Sequence, residues 1–180
     1  MIRVRDMETV DIDAVSAIRV RGWQAAYAGL VPRTHLDAMT VEDDAARRRA
    51  WFSRPGRTTR DLVAVGDRGP VGWLCHGRPG GEEPAGTGEV YALYADPDLI
   101  GTGIGRALLD EAHTRMREQW CTTSALWVLD GNERALRFYE RAGYRPDGRT
   151  RDDPYDDGTV LTELRYRRDL QARGSRFPAG

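Results

Sequence analysis

Stretches of period two and of period 3.6 alternate along this chain, and their order predicts an α/β fold. Ile2 and Val4 alternate with arginines, which predicts a short strand over residues 2–5. Ile12, Val15 and Ala17 or Ile18 share one stripe, which predicts a helix over about 9–20, capped by Thr9 or Asp11. Gly22 is expected to break that helix, with Trp23 and Tyr27 on one face of a second, short one. Leu30-Val31-Pro32 reads as a turn. Residues 41–53 form a further helix stopped by Arg54-Pro55-Gly56.

Strand patterns then dominate. Residues 61–66 and 70–76 flank Asp67-Arg68-Gly69, a hairpin signal. The Gly/Pro-rich stretch 77–88 reads as a mobile loop. Residues 89–95 form a central strand, because Val90, Ala92, Leu93 and Tyr94 leave few polar positions. From about Gly103 to Glu118 a helix carries Ile104, Leu108, Ala112 and Met116 on its core stripe. A strand over 124–129, a helix over 132–142 ended by Gly143, and closing strands at 144–150 and 158–167 complete the domain. The acidic run between those two strands reads as a solvated loop, although Asp152, Asp153, Asp156 and Asp157 also suit attraction of a cationic amine. Residues 1–170 are read as one domain and 171–180 as a disordered tail.

The most telling junction is Glu89–Leu109, EVYALYADPDLIGTGIGRALL, where a strand enters a glycine-rich turn that opens into a helix. Such a turn aims backbone N–H groups and the positive end of a helix dipole at one spot, which suits a phosphate or pyrophosphate. It does not fit a dinucleotide fingerprint. Counted from Gly101 the last glycine falls on Arg106, and from Gly103 it falls on Leu108. All 27 basic residues are arginine, so no lysine is present for a Walker loop or a Schiff base. A GC-rich codon bias accounts for that composition.

Charge and cysteine content narrow the function further. A net charge of −1 favours neither nucleic acid nor an anionic membrane. No apolar run is long enough to span a bilayer, and MIRVRDMETVD does not resemble a secretory signal, so a cytoplasmic location is expected. Cys75 and Cys121 are far apart and are read as buried, reduced thiols; His35, His76 and His113 show no ligand spacing, so no metal is expected.

Together with a second motif, GNERALRFYERAGY, the glycine turn resembles the GNAT acyl-CoA N-acyltransferases. The turn Ile100-Gly101-Thr102-Gly103-Ile104-Gly105, preceded by Tyr94-Ala95-Asp96-Pro97, is similar to the family's cofactor loop. Asn132 with Tyr139 seven residues on is similar to its second motif. Ile100 stands where the family carries Gln or Arg. The resemblance covers nearly the whole chain except about the last ten residues.

The resemblance implies a single-domain GNAT-like fold: a mixed, mostly antiparallel central sheet, splayed at the cofactor cleft and flanked by helices. It also implies acetyl-CoA as co-substrate and direct transfer of the acetyl group to a primary amine of a small molecule. Leu93, Tyr94 and Ala95 would bind the pantetheine through their backbones. Ile100, Gly101, Thr102, Gly103, Ile104, Gly105 and Arg106 would cradle the pyrophosphate, and Asn132 would bond the pantetheine arm or a water. Tyr139 matches the family's general acid; packing on Phe138 is its competing explanation. Glu89 is the candidate base and a candidate acceptor contact, or else a solvent-facing strand-end glutamate. Trp23 and Tyr27 line the acceptor pocket or simply pack in the core. A non-catalytic acyl-CoA sensor and a protein or peptide N-acetyltransferase stay open, as does a homodimer.

Overall fold

Alternation at the paired strands decides which side chains meet which helix. In the computed structural model, which describes residues 1–171, β2 (Thr59–Gly66) and β3 (Gly69–Gly77) form the expected hairpin. Leu62 opposes Leu74 on one face of the sheet, and Val63 opposes Trp73 on the other. β1 (Arg3–Asp6) pairs with β2, and β4 (Thr87–Ala95) pairs with β3, all antiparallel. β5 (Thr123–Leu129) runs parallel to β4, and the hairpin of β6 (Arg145–Pro154) and β7 (Val160–Asp169) closes the sheet through β7. The order is β1-β2-β3-β4-β5-β7-β6, so β4 is central.

Helices cover the two faces unequally. α4 (Ile104–Glu118) lays Leu108, Leu109, Ala112 and Met116 on the face that carries Leu62, Leu74, Val90 and Leu126. α1 (Ile12–Ala26) and α3 (Val41–Phe52) pack Ile12, Val15 and Ala45 against Val63 and Trp73 on the other. Each fully buried leucine contributes about 1.5–3 kcal/mol relative to exposure. α2 (Arg33–Ala38) and α5 (Glu133–Arg141) are shorter. Among the described residues no helix is long and apolar enough to cross a membrane.

Three local expectations are corrected. α1 is continuous from Ile12 to Ala26, so Gly22 does not end it. Its role is close approach: a Cβ there would lie 2.8 Å from Tyr94 Cδ1. The usual cost of a mid-helix glycine, about 1 kcal/mol, is offset by that packing. Second, α2 follows Pro32, where a turn alone was expected; six residues are too few to show a period. Third, β6 extends to Pro154, so Asp152 and Asp153 lie in strand and the connecting turn is only Tyr155–Thr159. Register with β7 supplies the missing stabilisation, setting Arg151 opposite Glu163. The expected tail, apart from Gln171, lies outside the described residues.

Two buried histidines tie α4 and β3 into this core. Arg168 donates to His113 Nδ1 at 3.2 Å, which leaves Nε2 to donate to the Tyr144 hydroxyl at 2.7 Å; Tyr144 in turn meets Ser124 at 2.7 Å. Burial pushes His113 down to about 3, with nearby arginines acting in the same direction. His76 is 1% exposed, neither ring nitrogen has a hydrogen-bond partner among the described residues, and burial lowers its pKa too. Both folded pKa values lie below the unfolded value of about 6.5, so the unfolded chain takes up protons first as pH falls. Their contribution to stability is therefore complete above about pH 6.5 and is lost as pH falls below it, for His113 down to about pH 3, by up to about 1.4 kcal/mol per pH unit per group. Urea denaturation from pH 7 to 4 is expected to show this slope, and His113→Gln should flatten part of it; an unchanged slope in that variant rejects the assignment.

Candidate active site

Backbone geometry opens the site before any side chain acts. Val90 pairs with His76 and Ala92 with Cys75, so Tyr91 is an extra residue that bulges from β4. A bulge bends the strand that carries it. β4 and β5 pair only from Thr87↔Thr123 to Val90↔Leu126, whereas β5 stays paired with β7 along its whole length. From Tyr91 to Ala95 the β4 edge facing β5 has no strand partner among the described residues. Its N–H and C=O groups are available to an extended amide chain.

This edge leads to the glycine turn. Asp96 N–H donates to the Val71 carbonyl at 2.9 Å, and the Asp96 carboxylate accepts from Asp98 N–H at 3.1 Å. Arg21 of α1 braces both aspartates, at 3.2 and 2.8 Å. Gly101 and Gly103 then adopt φ of +88° and +91°, a region costly for other residues. The turn's first helical hydrogen bond runs from Ala107 N–H to the Gly103 carbonyl at 3.0 Å. The N–H groups of Ile104, Gly105 and Arg106, at the start of α4, thus remain open to a bound anion. Thr102 hydroxyl instead donates to the Leu99 carbonyl at 2.7 Å.

A cavity of about 380 Å³ runs along the splay and ends at this turn. Leu93, Tyr94, Ala95, Ile100, Gly101, Gly103, Ile104, Gly105, Arg106, Asn132, Tyr139 and Tyr27 all line it. Thr102 and Trp23 do not. Trp23 packs instead in a satellite cluster with Val31, Leu36 and Leu129, its ring edge-on to Tyr27 at 4.7 Å. The short α2 contributes Leu36 to this cluster, alongside Val31 before it and Leu129 of β5.

Sequence reasoning also missed the cations on the far wall. Arg134 and Arg141 of α5 line the cavity beside Phe138. Their seven-residue spacing, with Phe138 between, places all three on one helical face, which was the available signal. They matter because Ile100 is apolar and Arg106 is paired with Asp110 at 2.7 Å.

The two acid–base candidates occupy adjoining chambers. Asn132 caps α5 by accepting Ala135 N–H at 3.2 Å, which leaves its amide NH₂ free to donate. Tyr139 is wedged between Phe138 and Tyr144, with ring centroids 5.1 and 5.7 Å away. Burial pushes its phenol well above the ordinary tyrosine range, so it is protonated at neutral pH. Glu89 does not reach the first cavity. It lines a second hollow of about 370 Å³, which shares Val90, Tyr91 and Trp127 with the cleft. Glu89 is 8% exposed and accepts Gly80 N–H at 3.2 Å, so it is not the solvent-facing glutamate of the competing explanation. Burial raises its carboxyl above the usual range.

The thiols stand apart from this chemistry. Cys75 is buried and pushed up to about 12, while Cys121 is only half-buried, contrary to expectation. Neither lines either cavity. Among the described residues no group of three or more His, Cys, Asp or Glu is placed to hold a metal ion.

Comparison with known proteins decides the family: the acetyltransferase (GNAT) family matches residues 23–144. The chain belongs to this family. It is 35% identical over 145 residues to a mycothiol acetyltransferase of Propionibacterium freudenreichii, a match covering 79% of this chain but 43% of that protein. The chain thus spans less than half the length of that relative. An uncharacterized N-acetyltransferase of Bacillus subtilis, YuaI, is 26% identical over 91% of both chains. Among solved structures, the PaiA N-acetyltransferase of Thermoplasma acidophilum in complex with coenzyme A superposes with a TM-score of 0.69 at 18% identity, covering 94% of this chain and 99% of that one. At that identity the likeness concerns the fold.

The glycine turn makes a testable demand on this GNAT chain. Gly103→Ala forces a side chain into the left-handed region and should cost about 1–2 kcal/mol in chemical denaturation. The same variant should weaken coenzyme A binding in calorimetry. Unaltered affinity would show that the conformation at Gly103 does not shape the anion cradle.

Proposed function

We propose that this GNAT protein transfers the acetyl group of acetyl-CoA to the primary amine of a small molecule by direct attack in a ternary complex. The observation that carries the reading is the unpaired β4 edge from Tyr91 to Ala95, running from the Glu89 hollow to the glycine turn. Acetyl-CoA fits that path: an amide-bearing arm meets free backbone groups, and its diphosphate meets the open N–H groups at the start of α4. The thioester supplies an activated acyl carbon and a thiolate leaving group. Arg134 and Arg141 add positive charge at the same wall.

The protein's own groups then meet the remaining demands. An alkylammonium has a pKa near 10.4 and must lose a proton before it attacks. Glu89 takes that proton, directly or through a water. Its raised pKa brings it closer to the operating pH, where a general base is most effective. The amine nitrogen bonds to the acyl carbon as the carbon–sulfur bond breaks. Tyr139, half-buried and protonated at the cleft wall, donates its proton to the departing sulfur. The nitrogen's second proton restores the phenol. The balance is one amide, one thiol and one proton released. A backbone N–H of the β4 edge would stabilise the carbonyl oxygen as charge develops on it. Cys75, buried and protonated, is unsuited to form an acyl-enzyme.

The competing reading, a sensor that binds acyl-CoA without turning it over, leaves the two titratable groups without a task. Release of free thiol from acetyl-CoA, measured across a panel of amines, separates the two. Tyr139→Phe should lower kcat about 10²-fold or more and leave coenzyme A affinity in calorimetry within about twofold. Glu89→Gln should remove the acid limb of the kcat/KM profile, because wild type gains activity with rising pH as that carboxyl deprotonates. Wild-type rates in both variants would defeat the assignments. Replacing both Cys75 and Cys121 by Ala should leave turnover largely intact, and a trapped acyl-enzyme in the wild type would overturn direct attack.

A further inference from the structure

The second hollow carries an uneven charge balance. Four glutamates line it, Glu82, Glu83, Glu89 and Glu163, against two arginines, Arg149 and Arg151. The pairing among them is also uneven. Glu83 is matched by Arg149 at 3.2 Å and by Arg165, which lies behind the wall and also holds Asp147 at 2.6 Å. Glu163 is matched by Arg151. Glu89, 8% exposed, belongs to none of the ion pairs among the described residues; its hydrogen-bond donor is the Gly80 N–H.

Arg151 marks where a cation sits. Its guanidinium lies over the Trp127 ring, 4.5 Å from the centroid, and its Nε bonds the Glu163 carboxylate. An aromatic face beside a carboxylate is a favourable seat for any alkylammonium. Arg151 is a loose occupant. Its side chain is 51% exposed and stands on β6, the outermost strand, whereas Glu163 is 23% exposed. A half-exposed ion pair is weakly held and readily exchanged. Trp127 also lines the cofactor cleft, so this seat adjoins the point where the two chambers meet.

We propose that the acceptor is an amine with at least two cationic nitrogens and no carboxylate: one nitrogen is delivered to Glu89, and a second, still protonated, replaces the Arg151 guanidinium between Trp127 and Glu163. This deepens the preceding reading of the site and rests on it. An amino acid would bring its carboxylate against Glu89 and Glu163, a like-charge contact. A monoamine would leave the second seat to Arg151.

The test uses acceptors matched in length. The full chain with acetyl-CoA is assayed with putrescine and cadaverine, with butylamine and pentylamine, and with ornithine and lysine. The diamines should exceed the matched monoamines at least tenfold in kcat/KM, and the amino acids by more. The gain should sit mainly in KM. Glu163→Gln should bring the diamine-to-monoamine ratio towards one, and Arg151→Ala should lower the diamine KM by vacating the seat. Calorimetry of cadaverine with the coenzyme A-loaded protein provides a readout independent of turnover. Binding that weakens about tenfold in Glu163→Gln upholds the cation seat even if no acetyl transfer is seen, in which case the transferase reading fails alone. Equal or better use of the amino acids or monoamines overturns the proposal, as does absence of cadaverine binding or a ratio unmoved by Glu163→Gln.

Discussion

One bulge governs this molecule. By inserting Tyr91 between two residues that pair with β3, the chain turns β4 away from β5 after four paired positions. A parallel pair that stops short leaves backbone donors and acceptors without partners at the centre of a sheet, a costly arrangement unless something else satisfies them. Here the exposed edge faces a cavity and ends at a helix N-terminus whose own donors are also free. The sheet is therefore incomplete in the place where an amide-containing ligand would complete it, and the GNAT family membership accords with that geometry.

Packing around the opening keeps it from closing. α4 is anchored below the sheet by Leu108, Leu109, Ala112 and Met116, which fixes the position of the glycine turn. α1 approaches so closely at Gly22 that Tyr94 lies against its backbone, and Tyr94 stacks in turn on Trp73, ring centroids 6.2 Å apart. On the other side Tyr139 leans on Tyr144, whose hydroxyl joins His113 and Ser124 in a buried network. The rigid wall thus holds the proposed acid, while the proposed base sits on the strand that bends.

The two chambers divide the chemistry by polarity. The cleft along β4 is mainly apolar with glycine backbone at its end, as a pantetheine arm and a diphosphate require. The hollow beyond Trp127 is rich in carboxylates and arginines, with Glu89 a buried acid that forms no ion pair among the described residues. Desolvation raises the Glu89 carboxyl and the Tyr139 phenol alike, yet the consequences differ. A carboxyl moved upward becomes a better base at neutral pH, and a phenol moved upward stays a proton donor.

Much of this was legible along the chain because it is local. The β2–β3 hairpin, the amphipathic α4, the glycine turn and the Asn132–Tyr139 pair depend on residues a few positions apart, and period, turn chemistry and spacing report such relations directly. Contacts between distant segments were not legible. Gly22 reads as a helix breaker until Tyr94 is seen against it. Trp23 reads equally as a cleft or a core residue until Leu36 and Leu129 are seen around it, and the acidic run reads as a loop until β7 pairs with it. The separate hollow around Glu89 exists because β3–β4, β5 and β6–β7 converge there from positions up to 83 residues apart, from Gly80 to Glu163. Local physics thus specified the elements and the glycine turn that opens α4. Tertiary folding decided which charges share a space, since only burial and proximity set the strength of a charge's interactions.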